Sequence, residues 1–408
     1  MFLLYSFIIR IYYCLIRIAS IFSTKAKQLA EGRKNQLSKL KKLGIQWANH
    51  HIVMIHAASY GEYEMAKPIV EALLNHENTR ILVSFHSPSG YENTHFNDQR
   101  IQKAYLPIDL LKNQAAFIKA INPQRVVFIK YEFWFNLLRI LNSNKIPYYY
   151  TSLHLNEDAY LFNNYMKPFL DLIKKSKTIY CHNPQSASIL RSKGLYNTSV
   201  VGDTRIQQAK ANIQKEHTEV TWLNNAPVIA FGSLIDSEYP LLAKILTDFP
   251  EANFLIAPHD VEKEDIAKLK SLIGPDTQLY SNLKGQTPMA ALTERCLIVN
   301  TLGDLRYLYK SADICYVGAG FDKGPHNVIE PLIYGTPTIC GSNIKKFPMA
   351  QHLHKTNFLT VIDSFDQLSE ALKTGLSINR SSFKKQVLDE LNNLEANIDD
   401  LVKELSPK

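Results

Sequence analysis

Short apolar runs alternate with amphipathic stretches along most of the chain from residue 52 onward. The runs have the length of strands, and the stretches between them carry apolar residues at helical spacing. This alternation predicts a parallel β-sheet with crossover helices. In the first half the predicted strands are 52–55, 81–85, 125–129, 147–151, 178–181 and 199–201. The predicted helices are 110–121, 133–142, 160–174 and 184–193.

The alternation starts again after a polar stretch at 207–225, which we interpret as a domain boundary. Two Rossmann-like halves facing a central cleft are the simplest α/β architecture for this pattern. A final charged helix at 381–405 is expected to pack back over the first domain. In the second half the predicted strands are 228–231, 254–257, 297–300, 314–317, 338–340 and 359–362, and the predicted helices are 239–247, 304–311, 328–334 and 365–376.

One carboxylate, Glu62, follows the first predicted strand within a loop of small residues. Alanine, serine and glycine at 56–62 let a substrate approach the backbone. Open α/β sheets bind ligands at the carboxyl ends of their strands, so Glu62 is a candidate to accept a proton from a substrate. The alternative is a solvated glutamate that the helix dipole favours at a helix start.

A second carboxylate, Glu132, follows the predicted strand at 125–129 and is therefore expected at the same sheet edge as Glu62. Two carboxylates with Lys130 around one cleft can tune a base or orient a substrate. The alternative is that Glu132 simply lies in the first turn of a helix and has no role in chemistry.

Two other polar positions in the first domain each allow a functional and a purely structural interpretation. A serine-rich loop after the second strand contains Ser87 and Gly90, and it is either a binding loop or an ordinary turn. Arg205 lies where the chain crosses between the domains. It can meet a phosphate or a carboxylate there, or it is a plain surface arginine.

The clearest anion-binding signal is the segment 317–331, which runs from a strand through a glycine-bearing loop into a helix. Free N–H groups at a helix start suit a phosphate. Asn327 is a candidate N-cap for a helix that begins at Val328, and Glu330 can accept hydrogen bonds from ribose hydroxyls. The segment fits neither the dinucleotide fingerprint nor a P-loop. An ordinary turn and cap is the alternative.

Three shorter loops follow strands of the second half and point to the same edge of its sheet. Each is weak alone, because loops of this kind commonly contain small and polar residues. They contain Gly232 and Ser233, Pro258 and His259, and Gly303, Asp304 and Leu305. For His259 a packed or solvated histidine is the default interpretation.

The first 22 residues are mostly apolar but are interrupted by Arg10 and Arg17. They lack the charge order and cleavage site of a signal peptide. A spanning helix needs about 20 apolar residues, and a central arginine costs roughly 2.5–3.5 kcal/mol. Snorkelling allows either a tilted span or an interfacial helix. The basic run at 25–42 suits an anionic leaflet, so we favour a membrane anchor over a core helix with a solvated linker.

The composition adds a partner class and a compartment. A chain of 408 residues is too long for one ordinary core, and its net charge of +8 indicates an anionic partner such as nucleic acid, lipid or a phosphorylated substrate. The five cysteines are scattered, without metal-ligand spacing. This favours reduced packing residues and a cytosolic environment.

Taken in order, these motifs resemble the 3-deoxy-D-manno-octulosonic acid (Kdo) transferases of lipopolysaccharide synthesis. The resemblance covers nearly the whole chain, and ordered motifs at matching intervals are more specific than any one of them. It is carried by the apolar N-terminus, 59–62, the serine-rich loop through Gly90, 106–109, 132–134, 201–203 and 326–330.

The resemblance implies a GT-B glycosyltransferase with an N-terminal membrane-associated helix at the cytoplasmic face of the inner membrane. Its implied partners are the donor CMP-Kdo, a lipid A precursor as acceptor and the anionic membrane surface, with no cofactor, metal or nucleic acid. The expected divisions are a membrane helix at 1–24, an acceptor domain at 25–206, a nucleotide-sugar domain at 226–376 and a returning helix at 377–408.

Residue roles are carried over by position. Glu62 matches the general base of an inverting displacement, and Glu132 and Arg205 match positions that support the charged transition state. The expected acceptor-side residues are Ser59, Gly61, Ser87 and Gly90. The expected donor-binding residues are Gly232, Ser233, Pro258, His259, Gly303, Asp304, Leu305, Gly324, His326, Asn327, Val328, Ile329 and Glu330.

Three positions depart from the family pattern. His259 follows Pro258 where the family often has an arginine, Lys130 replaces the first glutamate of a Glu-x-Glu-x-Trp motif, and Pro325 replaces a glycine before His326. Another GT-B transferase that uses a UDP-sugar, a nucleotide-sugar epimerase and a non-catalytic membrane adaptor are the alternatives. An epimerase needs no lipid anchor, and an adaptor has no need of both Glu62 and Glu330.

Overall fold

The structure is a computed structural model that describes residues 1–153, 155, 157–214, 217–285 and 289–407. Its contacts divide the chain into two compact units. The first unit contains Met1–Gln208 and Glu395–Lys408, and the second contains Ala209–Leu394. The last residues of the chain therefore belong with the first ones.

The first unit is built on a parallel sheet with the strand order β3-β2-β1-β4-β5-β6-β7. The register pairs Val53 of β1 with Ile81 of β2 and with Arg125 of β4. The strands are β1 (His51–His56), β2 (Thr79–Phe85), β3 (Ile101–Tyr105), β4 (Arg125–Ile129), β5 (Tyr148–Leu153), β6 (Ile179–Cys181) and β7 (Thr198–Val200).

Both faces of this sheet are buried, which explains why its strands appear as continuous apolar runs in the sequence. Successive side chains of a strand point to opposite faces. Accordingly, Met54 and Val126 join one hydrophobic core, whereas Val53 and Val127 join the other.

The helices of the first unit cover these two faces. They are α1 (Phe2–Ala19), α2 (Thr24–Gly32), α3 (Gln36–Gln46), α4 (Tyr60–Leu74), α5 (Pro88–Asn93), α6 (Leu111–Ile121), α7 (Phe135–Ser143), α8 (Lys167–Ile173), α9 (Pro184–Ser192), α10 (Thr204–Ile213), which continues into the second unit, and the closing helix α18 (Asp399–Leu405).

The second unit repeats the plan with a parallel sheet of order β11-β13-β10-β9-β14-β15-β16 and a separate pair, β12-β8. The strands are β8 (Glu219–Trp222), β9 (Val228–Leu234), β10 (Asn253–Pro258), β11 (Thr277–Leu279), β12 (Met289–Leu292), β13 (Cys296–Ile298), β14 (Ile314–Val317), β15 (Thr338–Gly341) and β16 (Leu359–Ile362). The helices are α11 (Pro240–Asp248), α12 (Lys263–Ile273), α13 (Leu305–Leu308), α14 (Ile329–Leu332), α15 (Pro348–Lys355), α16 (Leu368–Leu376) and α17 (Arg380–Leu394).

The strand order reverses once in each main sheet. In the first unit β1 lies between β2 and β4, and in the second unit β9 lies between β10 and β14. Where the strand order reverses, the loops that follow the two adjacent strands lead to opposite faces of the sheet. Open α/β sheets bind ligands in the crevice between these loops. The strand order therefore places the expected binding edge of the first unit at the carboxyl ends of β1 and β4. In the second unit it places this edge at the carboxyl ends of β9 and β14.

Several predicted elements differ in the structure. The strand β3 was not predicted, because its middle residues Gln102 and Lys103 are polar and it lies at the sheet edge. The predicted boundary at 207–225 contains the end of α10 and the strand β8. The expected helix at 381–405 is divided into α17 and α18. The chain turns between them, where the Asn397 backbone N–H donates to the Val201 carbonyl at 2.7 Å.

The N-terminal helix α1 is long and apolar enough to cross a membrane by length and composition, with a mean hydropathy of 1.7. Its first turn contacts the body of the first unit. The Tyr5 hydroxyl donates to Asp109 at 2.8 Å, and the Phe2 ring meets Phe169 edge to face. Beyond this turn its apolar side chains are exposed, including Phe7 and Leu15.

Candidate active site

The loops after β1 and β4 bring the two predicted carboxylates of the first unit together. Glu62 follows β1 and Glu132 follows β4, and these strands are parallel neighbours. The carboxylates are close enough for the charge of Glu132 to act on the proton affinity of Glu62.

Glu62 has a local structural role and an unusual proton affinity. Its carboxylate accepts the backbone N–H of Ser59 at 3.1 Å in a capping box at the start of α4. Burial raises the pKa of Glu62, and the charge of Glu132 raises it further, while Lys130 and His56 oppose the rise. Glu62 is therefore a glutamate at a helix start, as the alternative interpretation of the sequence predicts. It is also a stronger base than an ordinary glutamate.

Glu132 is held as an anion by a hydrogen-bond network. Its Oε2 lies 2.9 Å from Nε2 of His56 and accepts the indole N–H of Trp134 at 2.6 Å. Nδ1 of His56 lies 2.9 Å from the Ser84 hydroxyl, which can donate to it and so leaves the ring proton on Nε2, facing Glu132. Burial favours a higher pKa for Glu132, but the bonds from His56 and Trp134 outweigh it and lower the pKa.

A histidine and an arginine lie behind this network. The His86 ring lies over Trp134 with centroids 4.8 Å apart. Arg33 donates to Nδ1 of His86 at 3.2 Å and to the Leu106 carbonyl at 2.9 Å. Burial, followed by the charge of Arg33, lowers the pKa of His86 to about 4. At neutral pH His86 is therefore uncharged, and Arg33 is the cation of the pair.

Lys130 and Arg205 contribute positive charge near Glu62. Lys130 follows β4 in the left-handed backbone region at φ 62°, which is uncommon for a residue other than glycine. Burial and then the charge of Arg205 lower the pKa of Lys130, opposed by Glu62 and Asp203. The Nε of Arg205 donates to Asp203 at 3.0 Å, so its charge is shared with an internal carboxylate.

The four predicted acceptor-side residues have different local roles. Ser59 is the N-cap residue of α4, and Ser87 is the N-cap residue of α5, where its hydroxyl accepts the Ser89 N–H at 3.2 Å. Gly61 is exposed, with open space where a side chain would begin. Gly90 is buried, and an added Cβ would lie 2.3 Å from the Phe85 ring, so packing alone explains this glycine.

In the second unit the end of β9 is in direct contact with the loop after β14. The Gly318 N–H donates to the Gly232 carbonyl at 2.8 Å. A Cβ on Gly318 would lie 2.6 Å from the Ser233 carbonyl oxygen, so the backbones approach closely. The structure places Gly232 and Ser233 within β9 rather than after it, and Ser233 has φ 56°.

A buried carboxylate that the sequence analysis missed supports this junction. Glu238 accepts the backbone N–H of Ala319 at 3.0 Å, the Tyr316 hydroxyl at 2.8 Å and the Ile235 N–H at 3.0 Å. With these partners its charge stabilises the loop that follows β14.

Two histidines join the loop after β10 to the loop before α14. The rings of His259 and His326 stack with centroids 4.3 Å apart and an interplanar angle of 19°. Burial, followed by the nearby His259, lowers the pKa of His326 to about 4. Pro258 ends β10 and is buried, whereas His259 is exposed.

The segment before α14 has the expected cap chemistry, displaced by one residue. Asn327 Oδ1 accepts the Ile329 N–H at 3.1 Å, and α14 begins at Ile329 rather than at Val328. Glu330 lies in the single turn of this helix and is half-buried. Gly324 has φ 102°, a conformation that favours glycine, and lies against Phe347.

The turn before α13 is held by a different contact. Asp304 accepts from Lys284 at 2.7 Å, and Gly303 before it has φ 86°. Leu305 is the first residue of α13. Across the described ranges, no group of three or more His, Cys, Asp or Glu side chains is placed to hold a metal ion.

Comparison with known proteins finds a family that the first unit resembles. Residues 27–208 match the family model described as 3-Deoxy-D-manno-octulosonic-acid transferase (kdotransferase). The range contains Glu62, Glu132 and Arg205. This part of the chain is therefore similar to the Kdo transferases.

Similarity to known proteins extends beyond residues 27–208. A 3-deoxy-D-manno-octulosonic acid transferase of Haemophilus influenzae is 23% identical over 347 residues, which cover 81% of this chain and 80% of that protein. A bifunctional glycosyltransferase/methyltransferase of Fusobacterium nucleatum is 22% identical over 337 residues, or 79% of this chain and 52% of that protein. The chain thus spans about half the length of the second relative. The resemblance to Kdo transferases is confirmed.

Solved structures confirm the predicted GT-B fold. UDP-GlcNAc 2-epimerase of Neisseria meningitidis superposes with a TM-score of 0.55 at 12% identity, covering 87% of this chain and 99% of that chain. MurG of Acinetobacter baumannii gives a TM-score of 0.50 at 14% identity, covering 87% and 99%. At these identities the likeness concerns the fold alone.

Proposed function

We propose that the chain transfers Kdo from CMP-Kdo to a lipid A precursor, with Glu62 as the general base. The observation that carries this proposal is the raised pKa of Glu62 beside the ionised Glu132, at the binding edge of a unit similar to the Kdo transferases. Two carboxylates with opposite shifts in one site are typical of divided acid and base roles.

In the proposed reaction, Glu62 accepts the proton of an acceptor hydroxyl while that oxygen attacks the anomeric carbon of Kdo. The bond from this carbon to the phosphate oxygen of CMP breaks, and CMP leaves with the electron pair. A single displacement inverts the configuration at the anomeric carbon. General base catalysis of this kind contributes about 10²–10⁴-fold.

Cations near Glu62 suit the anionic reactants. Lys130 and Arg205 are close enough to influence each other electrostatically, and Lys130 also acts on Glu62. Both Kdo and the phosphates of a lipid A precursor are anionic, so we assign these two residues to substrate positioning and transition-state charge.

The donor is assigned to the second unit. The close backbone contact of Gly232 and Gly318 leaves a tight loop junction, and His259 and His326 stack beside it. We assign this junction, the capped segment from Asn327 to Glu330 and the turn at 303–305 to the nucleotide. Glu330 has the chemistry to accept from ribose hydroxyls.

The helix α1 is assigned to the cytoplasmic face of the inner membrane. Its first turn is tied to the first unit through Tyr5 and Asp109, and its remaining apolar side chains are exposed. Basic residues follow it from Lys25 onward, which favours binding to anionic lipid.

The decisive experiment is incubation of the purified chain with CMP-Kdo and a lipid A precursor, followed by mass analysis of the lipid. Wild-type protein is expected to add Kdo, and Glu62→Gln is expected to reduce transfer by at least about 10²-fold with CMP binding retained. Glu64→Gln, on the same helix and paired with Lys67, is the control. Transfer by Glu62→Gln at the wild-type rate would overturn the assigned base.

The same assay separates the alternatives. Transfer from a UDP-sugar, with none from CMP-Kdo, identifies another GT-B transferase. Conversion of a free nucleotide sugar without any lipid product identifies an epimerase. Binding of vesicles with no turnover of either donor identifies an adaptor.

A further inference from the structure

A cavity of about 460 Å³ lies in the second unit at the start of α17. Its wall combines apolar side chains with a phenol and with basic groups. The residues that matter for its chemistry are Ile213, Ile333, Tyr334, Lys310, Arg380 and Lys384.

The cavity is separate from the loops assigned to the nucleotide. Arg380 Nη1 donates to Asp313 at 3.0 Å, and Asp313 immediately precedes β14. The cavity therefore lies at the amino end of β14, whereas the candidate donor loop leaves its carboxyl end. Among the described residues, its lining and the candidate donor positions have no member in common.

The charges around the cavity are unbalanced. Lys310 pairs with Glu219, and Arg380 pairs with Asp313, but Lys384 has no ion-pair partner in the described ranges. Among the residues that the structure describes, the cavity wall itself carries three cations and no carboxylate, while the charge of Glu330 acts on Tyr334 from outside the wall.

The helix that begins here adds to the positive charge. The first turn of α17 has no acidic residue and begins with Arg380, although the positive end of a helix normally favours acidic side chains. The Asn379 side chain accepts the Ser382 N–H at 3.0 Å, and an external anion would complement the remaining positive charge.

Tyr334 supplies an independent observation. Its side chain is 6% exposed, and its hydroxyl is buried without a hydrogen-bond partner in the parts of the chain that the structure describes. Unpartnered buried hydroxyls are rare, because the lost hydration is not replaced. A ligand oxygen in this cavity would give the hydroxyl an acceptor.

We propose that this cavity binds a phosphate-bearing anion. The ammonium of Lys384 and the backbone N–H groups of Arg380 and Ser381 hold the phosphate oxygens, and the Tyr334 hydroxyl donates to one of them. The apolar wall of Ile213 and Ile333 contacts the organic part of the ligand. A soluble phosphate monoester and a phospholipid headgroup both present this chemistry.

The test is isothermal titration of the full chain with inorganic phosphate and with sn-glycerol 3-phosphate, in the presence of excess CMP. Saturable binding is expected. Lys384→Gln is expected to weaken it about tenfold, the effect of losing one charge-assisted hydrogen bond. Lys385→Gln, exposed on the same helix and outside the cavity wall, is expected to change it less than about twofold.

Tyr334→Phe tests the hydroxyl apart from the charge. It is expected to weaken phosphate binding and to raise the melting temperature of the free protein, because it removes an unpaired buried group. Vesicles with and without phosphatidic acid distinguish the sources. If vesicle binding falls in Lys384→Gln and not in Lys385→Gln, the ligand is a phospholipid headgroup. If the phosphate monoester binds and vesicle binding is the same in both variants, the ligand is a soluble phosphate.

Three results would overturn the proposal. The first is the absence of saturable binding for both phosphates. The second is an equal loss in Lys384→Gln and Lys385→Gln, which would indicate general surface charge. The third is displacement of phosphate by CMP, which would place the anion at the nucleotide loops.

Discussion

Nε2 of His56 and the carboxylate of Glu132 lie 2.9 Å apart at the ends of two neighbouring strands. The Trp134 indole donates to the same carboxylate oxygen at 2.6 Å. Together these bonds keep Glu132 ionised, and its charge makes Glu62 harder to ionise. Burial raises the pKa of the proposed base most, and a contact that does not involve the base itself maintains the charge that raises it further.

Replacing Glu132 is expected to move the pH dependence of transfer. The base form of Glu62 is lost as the pH falls through its raised pKa. Glu132→Gln removes a negative charge that raises this pKa, so the acidic limb of kcat/KM is expected to move to lower pH. The measurement is a pH profile of kcat/KM for Kdo transfer. An acidic limb that stays in place would contradict the coupling of the two carboxylates.

Two glycines of the proposed acceptor side are expected to respond differently to alanine. In Gly90→Ala the new Cβ meets the Phe85 ring, and we expect a loss of about 1–3 kcal/mol in the free energy of unfolding. In Gly61→Ala nothing lies within 4 Å, so we expect no loss of stability. Denaturant unfolding of both variants is the measurement, and equal destabilisation would contradict the prediction.

The exposed face of α1 is expected to control membrane binding without affecting the fold. Phe7 and Leu15 are 56% and 58% exposed, so Phe7→Glu with Leu15→Glu removes only exposed apolar surface. Vesicle partitioning is expected to fall at least about tenfold with an unchanged melting temperature. The same charge change at Leu223 and Leu272 is the control. Unchanged partitioning would show that α1 does not bind the bilayer.

His259 is expected to control the titration of its stacked neighbour. The pKa of His326 lies at about 4, because the ring is buried and a second imidazole lies beside it. His259→Ala removes part of this cover and the neighbouring group, so the pKa of His326 is expected to rise toward its ordinary value. NMR titration of the imidazole resonances measures it. A pKa unchanged by the substitution would assign the shift to other groups.

Much of the fold could be predicted because its signals are local. The predicted strands at 125–129, 314–317 and 359–362 coincide with β4, β14 and β16, since strands buried on both faces are short unbroken apolar runs. The edge strand β3 carries polar residues on its exposed positions, and its apolar run is broken. The single turn of α14 is too short for a periodic signal.

The candidate site was predictable only in part. Glu62 and Glu132 follow apolar strands, and this position alone marks them. His56, His86 and Arg33 acquire their roles from contacts with residues far away in the chain, such as the 3.2 Å bond between Arg33 and His86. Glu238 looks like a helix-start carboxylate until its three hydrogen bonds are known.

The closing helix α18 completes the first unit only after the second unit has been synthesised. Leu401 and Leu405 are fully buried in a core of that unit, and the Tyr149 hydroxyl donates to Glu404 at 2.9 Å. A ribosome makes all of residues 209–394 before this helix is available. Helix α4 already packs on this face of the first sheet, but the part that α18 covers stays open while the second unit is made and can fold. The proposed catalytic base thus belongs to the unit that is begun first and finished last.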